Sequence, residues 1–187
     1  MYRLALLALV ASVSANCCPK VDPVDNFQLD AWGQGVWYEV ARYPNPAQNN
    51  TKCAYAQYKL EGDEIKVTTQ YIRNNKAASI EGVAKLAPDA GQTGKIIFKL
   101  PGRNGAVIEN TLDILAIDYD KYVITYFCKF NEASHSHRDF AWVFSRSKVL
   151  PEDAKAAVDK FLSESKVLEA NKFIWPSFND ENCKVDA

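Results

Sequence analysis

Two cations break what would otherwise be apolar strand faces. Lys129 shares a face with Thr125 and Phe127, and Arg138 shares one with Phe140 and Trp142. A cation in such company must reach water or meet a counter-charge, because burying it unpaired is costly. Near an opening, both suit the acid group of an otherwise greasy guest. The competing reading has them snorkel into solvent or pair with Glu39. Tyr71 and Asn110 are further polar groups able to give directional hydrogen bonds.

Residue types that make and break bonds are poorly arranged. The chain has no phosphate-cradling glycine loop and no Gly-x-Ser-x-Gly nucleophile turn. His135-Ser136-His137 is the single histidine cluster, and two ligands fall short of the four a structural zinc site normally needs, so no metal is expected. Only Glu39 among the carboxylates falls where burial is expected, so acid–base catalysis has no pair to work with. The reading is therefore of a binding protein, not an enzyme, with no catalytic cofactor.

The elements that carry these residues read as strands. Apolar, β-branched and aromatic runs recur at 35–43, Cys53–Leu60, Glu64–Ile72, Ala78–Leu86, Gly94–Leu100, Ala106–Ile117, Tyr122–Phe130 and Arg138–Arg146. Turn chemistry separates them, as in Glu61-Gly62-Asp63, Arg73-Asn74-Asn75-Lys76 and Pro101-Gly102-Arg103-Asn104-Gly105. Eight such strands predict an all-β fold, an antiparallel up-and-down barrel with room for one small ligand. On the first strand, strict alternation puts Trp37, Glu39 and Ala41 on one face and Tyr38, Val40 and Arg42 on the other. After Arg146 the period changes. Pro151-Glu152-Asp153 opens a helix over about 151–165, whose stripe of Ala154, Ala157, Val158, Phe161 and Leu162 would lie on the outside of the barrel. Phe173-Ile174-Trp175 could add a short edge strand. Asn26 to Trp32 reads as a short apolar helical turn.

Composition bounds the rest. Residues 1–15 read as a secretory signal peptide, with Arg3, the apolar stretch Leu4 to Val10 and the small residues Val13-Ser14-Ala15. Residues 16–187 then form one domain, with the barrel at about 34–146. No apolar run is long enough to span a bilayer. The formal net charge is −1, and no run of like charge stands out. Nucleic acid and anionic membrane are accordingly poor partners. Cys17, Cys18, Cys53, Cys128 and Cys183 all follow the signal, and a secreted chain with spread cysteines should carry disulfides. The pairing and the fate of Cys17 stay open at this point. Asn49-Asn50-Thr51 is a sequon that makes Asn49 a glycosylation candidate.

Three stretches share a pattern: Gly35-Val36-Trp37 at the head of the first strand, Ile117-Asp118-Tyr119-Asp120 in a tight turn, and Trp142-Val143-Phe144-Ser145-Arg146 ending the last strand. In this order and spacing they resemble the signature regions of the lipocalin family. Pro23-Val24-Asp25-Asn26-Phe27, Trp37 to Pro44 and Ser145 to Leu150 are most similar to its insect bilin-binding branch. The resemblance implies disulfides Cys18–Cys128 and Cys53–Cys183, and Arg146 lying over Trp37 at the closed end, with Gly35, Asp118 and Tyr119 as structural signature residues. It makes the ligand set Asn45, Ala47, Thr69, Tyr71, Ile80, Leu100, Ala106, Ile108, Asn110, Phe127, Lys129, Arg138 and Phe140.

The function so implied is carriage or storage of a small lipophilic molecule, first a biliverdin-type bilin, in a secreted protein of insect haemolymph. Carotenoid, retinoid, fatty acid or an insect hormone are the alternatives, and self-association as a homo-oligomer is left open. The chain departs from the bilin carriers at Thr69 and Tyr71, where they typically show Asn and His. Haem carriage would need an inward histidine, and a thiol-dependent isomerase an internal cysteine; neither is in place. A lipophile-modifying enzyme and a ligand-free interaction protein remain as readings from other classes.

Overall fold

The computed structural model describes residues 17–179 and 181–185; the signal segment read at 1–15 lies outside them. Eight strands follow one another around a closed antiparallel barrel, and the first pairs with both the second and the last. They are β1 (Gly35–Arg42), β2 (Thr51–Glu61), β3 (Glu64–Arg73), β4 (Lys76–Leu86), β5 (Lys95–Pro101), β6 (Val107–Asp118), β7 (Tyr122–Asn131) and β8 (Ser136–Ser145). A one-turn helix α1 (Leu29–Trp32) precedes the barrel, and α2 (Glu152–Glu164) follows it. No helix among the described residues is long and apolar enough to cross a membrane.

The turns explain why the hairpins are tight. Asn74 and Asn75 both take positive φ, 49° and 60°, between Arg73 and Lys76. That is the type I′ geometry whose twist matches flanking strands, and asparagine tolerates it better than most residues.

One turn of the chain defeats simple alternation. In β1 the register against β8 runs Glu39 to Phe144, then Ala41 to Val143 and Arg42 to Trp142. Val40 is the extra residue of a bulge, which shifts every later side chain to the opposite face. Arg42, expected opposite Glu39, therefore joins Glu39 inside, while Ala41 turns outward onto the external core.

Apolar residues form two cores. Inside the lower barrel, Trp32, Trp37, Ile65, Val67, Ala84, Ile96, Ile114 and Val123 are buried as one cluster. Outside, Val40, Ile124, Tyr126, Ala141 and Val143 pack with Val158 and Leu162 of α2 and with Leu168 and Phe173 beyond it. The buried stripe of α2 is Ala154, Val158 and Leu162; Phe161 is half-buried and Ala157, expected in the stripe, faces solvent. A 3.6-residue period makes 154, 158 and 162 the tighter row, and 157 falls to its edge. The expected strand at Phe173–Trp175 contracts to a single bridge between Ile174 and Arg42. Disulfides join Cys18 to Cys128 and Cys53 to Cys183, tying both chain ends to the barrel wall. Cys17 is exposed beside the first of them.

Candidate functional site

The closed end comes first, because it sets the floor. Trp37 is fully buried and donates its indole N–H to the Trp32 carbonyl at 3.0 Å. The Arg146 guanidinium carbon sits 3.6 Å from the centre of a Trp37 ring. Arg146 also donates to the carbonyls of Ala31 (3.0 Å), Gln34 (2.7 Å) and Tyr119 (2.9 Å). A planar fork can reach three chain segments at once while stacking, which an ammonium cannot. Gly35 has φ 76°, and a Cβ there would lie 3.4 Å from Arg146, so the glycine meets a backbone need as well as a close approach. The Tyr119 hydroxyl accepts from the Gln28 N–H, and Asp118 accepts from the Asp120 N–H to hold its turn.

Above this floor the same inward face changes character. Ile65 and Val67 on β3 are buried, and Thr69 and Tyr71 above them are only half-buried. Ala84 on β4 is buried, and Ile80 is half-buried. On β5 and β6 the facing pairs Phe98–Asn110 and Leu100–Ile108 lie above the buried Ile96. Phe127, Phe140 and Trp142 stack as an aromatic wall, with ring centres 5.0 Å and 6.2 Å apart. Apolar side chains on the inside of a closed wall keep such exposure only if the space between them is open. The lower barrel is packed, and the upper barrel is a cup.

The rim holds the cations. Lys129 and Arg138 are direct cross-strand partners on β7 and β8, and both are exposed. Neither makes an ion pair among the described residues. Like charges placed directly opposite repel, so an anion lying between them would relieve the repulsion. Ile108 is 47% exposed on the other side of the mouth. Ala106 and Ala47 are exposed in the turns beside it, and the Ala47 carbonyl accepts from Arg73.

Glu39 meets neither rim cation. Its partner is Arg42, 2.6 Å away, and both are buried. Burial raises the Glu39 carboxyl, and the neighbouring Arg42 charge and the Gln48 and Arg42 hydrogen bonds pull it back down. Gln48, at the end of a single 3₁₀ turn (Pro46–Gln48), completes the network. It donates to Glu39 at 2.6 Å and accepts from Asn45 at 2.7 Å and from the Trp142 indole at 2.9 Å. Asn45 is buried and caps the same turn by accepting from the Gln48 backbone N–H. Its side chain is thus committed to the β1–β2 loop. Asn49 is exposed one residue further on.

Gln48 went unnoticed in the sequence because a loop residue has no period to place it. Thr125 is on the inward face with Phe127 and Lys129, as alternation predicts, but its want of a partner shows only in the structure. It lies inward on β7 between Val123 and Phe127, is 1% exposed, and its hydroxyl is the one buried side-chain polar atom without a partner among the described residues. No group of three or more His, Cys, Asp or Glu side chains among the described residues could hold a metal ion.

A model of the lipocalin / cytosolic fatty-acid binding protein family matches residues 34–177. The chain is 41% identical to the bilin-binding protein of Pieris brassicae, with all of both chains covered. It is 33% identical to insecticyanin-B of Manduca sexta, over 98% of this chain and 94% of that one. The solved structure of Manduca sexta insecticyanin superposes with a TM-score of 0.84 at 34% identity, covering 91% of each chain. Lobster apocrustacyanin A1, at 22% identity and a TM-score of 0.68 over 81% of this chain and 80% of that one, shares the fold.

Proposed function

The chain belongs to the lipocalin family, and from that premise we propose that it carries or stores one small lipophilic molecule in its cup, with a biliverdin-type bilin as the first candidate. The observation that carries the reading is the change along the inner wall, from the fully buried floor around Trp37 and Ile65 to the half-buried Tyr71, Ile80, Phe127 and Phe140 above. A mostly apolar hollow with few polar groups is what a small-molecule site requires. Its lining fits a bilin in kind. The aromatic wall offers flat surfaces to conjugated rings, and Lys129 and Arg138 stand at the mouth for propionates. Burying ~400 Å² of ligand apolar surface at ~25 cal/mol per Å² gives roughly 10 kcal/mol before ordering costs. Likeness to the Pieris brassicae bilin-binding protein supports the same ligand class.

The protein works by binding, with no chemical step. It is secreted after loss of residues 1–15 and serves in insect haemolymph; the two disulfides agree with an oxidising compartment. A second reading, another lipophile such as a carotenoid or fatty acid, is favoured by Thr69 and Tyr71, which replace the Asn and His typical of bilin carriers on β3. Native mass spectrometry and absorbance of protein purified from its source separate the two. A bilin mass with a long-wavelength visible band is expected. A colourless fatty acid would establish the second reading, and a protein that takes up no lipophile would end both.

A further inference from the structure

A net charge of −1 conceals how the fold distributes charge. The hairpins at the closed end carry Glu61, Asp63, Glu64, Asp89, Asp118 and Asp120, but lysines answer most of them: Lys59 and Lys66 pair with Glu61, Lys85 with Glu64, Lys95 with Asp89 and Lys121 with Asp118. At the open end the cations stand without such partners. Lys52 is the second residue of β2, Arg73 and Lys76 flank the β3–β4 turn, and Lys129 and Arg138 face each other on β7 and β8. None of these five makes an ion pair with an acid among the described residues. Lys52 reaches only the neutral Asn75 amide, and Arg73 lies over the Tyr71 ring. Glu132 is the single acid in the open-end turns. Up-and-down topology gathers these residues, because alternate turns lie at opposite ends.

The same rim carries exposed apolar side chains. Val107 is 66% exposed and Ile108 47% at the start of β6, and Phe130 is 37% exposed near the end of β7. We propose that the open end docks on anionic lipid bilayers, with Lys52, Arg73, Lys76, Lys129 and Arg138 over the headgroups and Val107, Ile108 and Phe130 at the acyl boundary. The closed end, whose acids and lysines pair with one another, has no such set of unpaired cations, so binding orients the cup mouth-down. A lipophile dissolved in the bilayer then enters the cup without crossing water. Expecting little from a near-neutral chain, the composition points away from this partner; the segregation becomes visible only once alternate turns are assigned to opposite ends.

The test is cosedimentation of the disulfide-bonded chain with vesicles of phosphatidylcholine alone or mixed with phosphatidylserine. Binding only to the mixed vesicles, weakened by salt, is expected. Lys52→Glu with Lys76→Glu should weaken it by at least ~25-fold, about fivefold for each cation removed. Lys66→Glu with Lys148→Glu makes the same change of charge away from the mouth and should leave binding intact. Val107→Asp should also lower it, while none of these exposed changes alters ligand uptake in the absence of vesicles. Equal loss in both double variants, equal binding to both vesicle types, or binding to protein-bearing cell membranes but not to pure lipid would each overturn the proposal. Because uptake is read separately, failure to dock and failure to carry a lipophile are distinguishable.

Discussion

Arg42 and Glu39 are three residues apart and meet at 2.6 Å inside the barrel, because the bulge at Val40 turns Arg42 inward. Removing one partner of a buried pair leaves the other charge stranded. Arg42→Leu should cost about 3–5 kcal/mol at neutral pH, whereas Arg42→Leu with Glu39→Leu should recover much of it. Burial already raises the Glu39 carboxyl, with Arg42 opposing. An acid raised by folding favours the folded state fully below its ordinary value of 4.5, and that contribution is lost as pH rises through the folded pKa. Without Arg42 the carboxyl rises further, so the single variant should regain stability as pH falls through that raised pKa toward 4.5. Urea midpoints across pH provide the measurement, and a pH-independent deficit would refute the argument.

Asp113 shows the same sign on the outer wall. It pairs in register with Lys95 and Tyr126, but the Lys95 ammonium goes to Asp89. Burial pushes the Asp113 carboxyl up to about 6 from 3.8, against the weaker pull of Lys95. Its contribution to stability is whole below 3.8 and lost as pH rises through 6. Asp113→Asn should therefore be more stable than the parent above pH 6 and equal to it in strong acid. Carboxyl NMR titration would read the pKa directly.

Thr125 presents a buried hydroxyl without a partner among the described residues, just above the floor. Thr125→Val keeps the shape and removes the polar atom. The empty protein should gain up to about 1 kcal/mol in thermal or urea unfolding. If a guest's polar end reaches the hydroxyl, the same variant should bind that guest about fivefold more weakly and a plain hydrocarbon guest no worse. Fluorescence quenching of the nearby Trp142 reports both titrations.

Lys129 and Arg138 are exposed, which limits what each can contribute. Biliverdin should bind more tightly than its dimethyl ester, by about two- to fivefold for each cation engaged, and less so in high salt. Arg138→Gln should reduce that preference without changing ester binding. An ester that binds as well as the free acid would remove the rim cations from ligand recognition.

Much of this was legible in advance for definite reasons. Gly, Asn and Asp mark the turns, and β-branched and aromatic residues fill the runs between them, so eight antiparallel strands could be read from local chemistry alone. Membership of the family follows from Gly35, Trp37, Tyr119 and Arg146, whose spacing the fold explains through one guanidinium touching three segments. Arg42 could not be placed, since an inserted residue breaks a period of two without leaving a mark in residue type. Gln48, and the unpartnered state of Thr125 on a face that alternation does give, are hidden for another cause. Their significance lies in who their neighbours are, or that they have none, and this exists only after strands distant in sequence have paired. Ala157 was misjudged because alanine is apolar enough to join a stripe and small enough to be left in solvent.

The ring closes where β1 meets β8, from Tyr38 opposite Ser145 to Arg42 opposite Trp142. A chain leaving the ribosome cannot make that seam until nearly all of the barrel has emerged, so its early strands wait as an open, sticky sheet. Pairings this distant are slow to form, and the nascent protein spends that interval exposed to aggregation. Chaperones would be needed most then, and a product truncated ahead of β8 should be degraded rather than half functional.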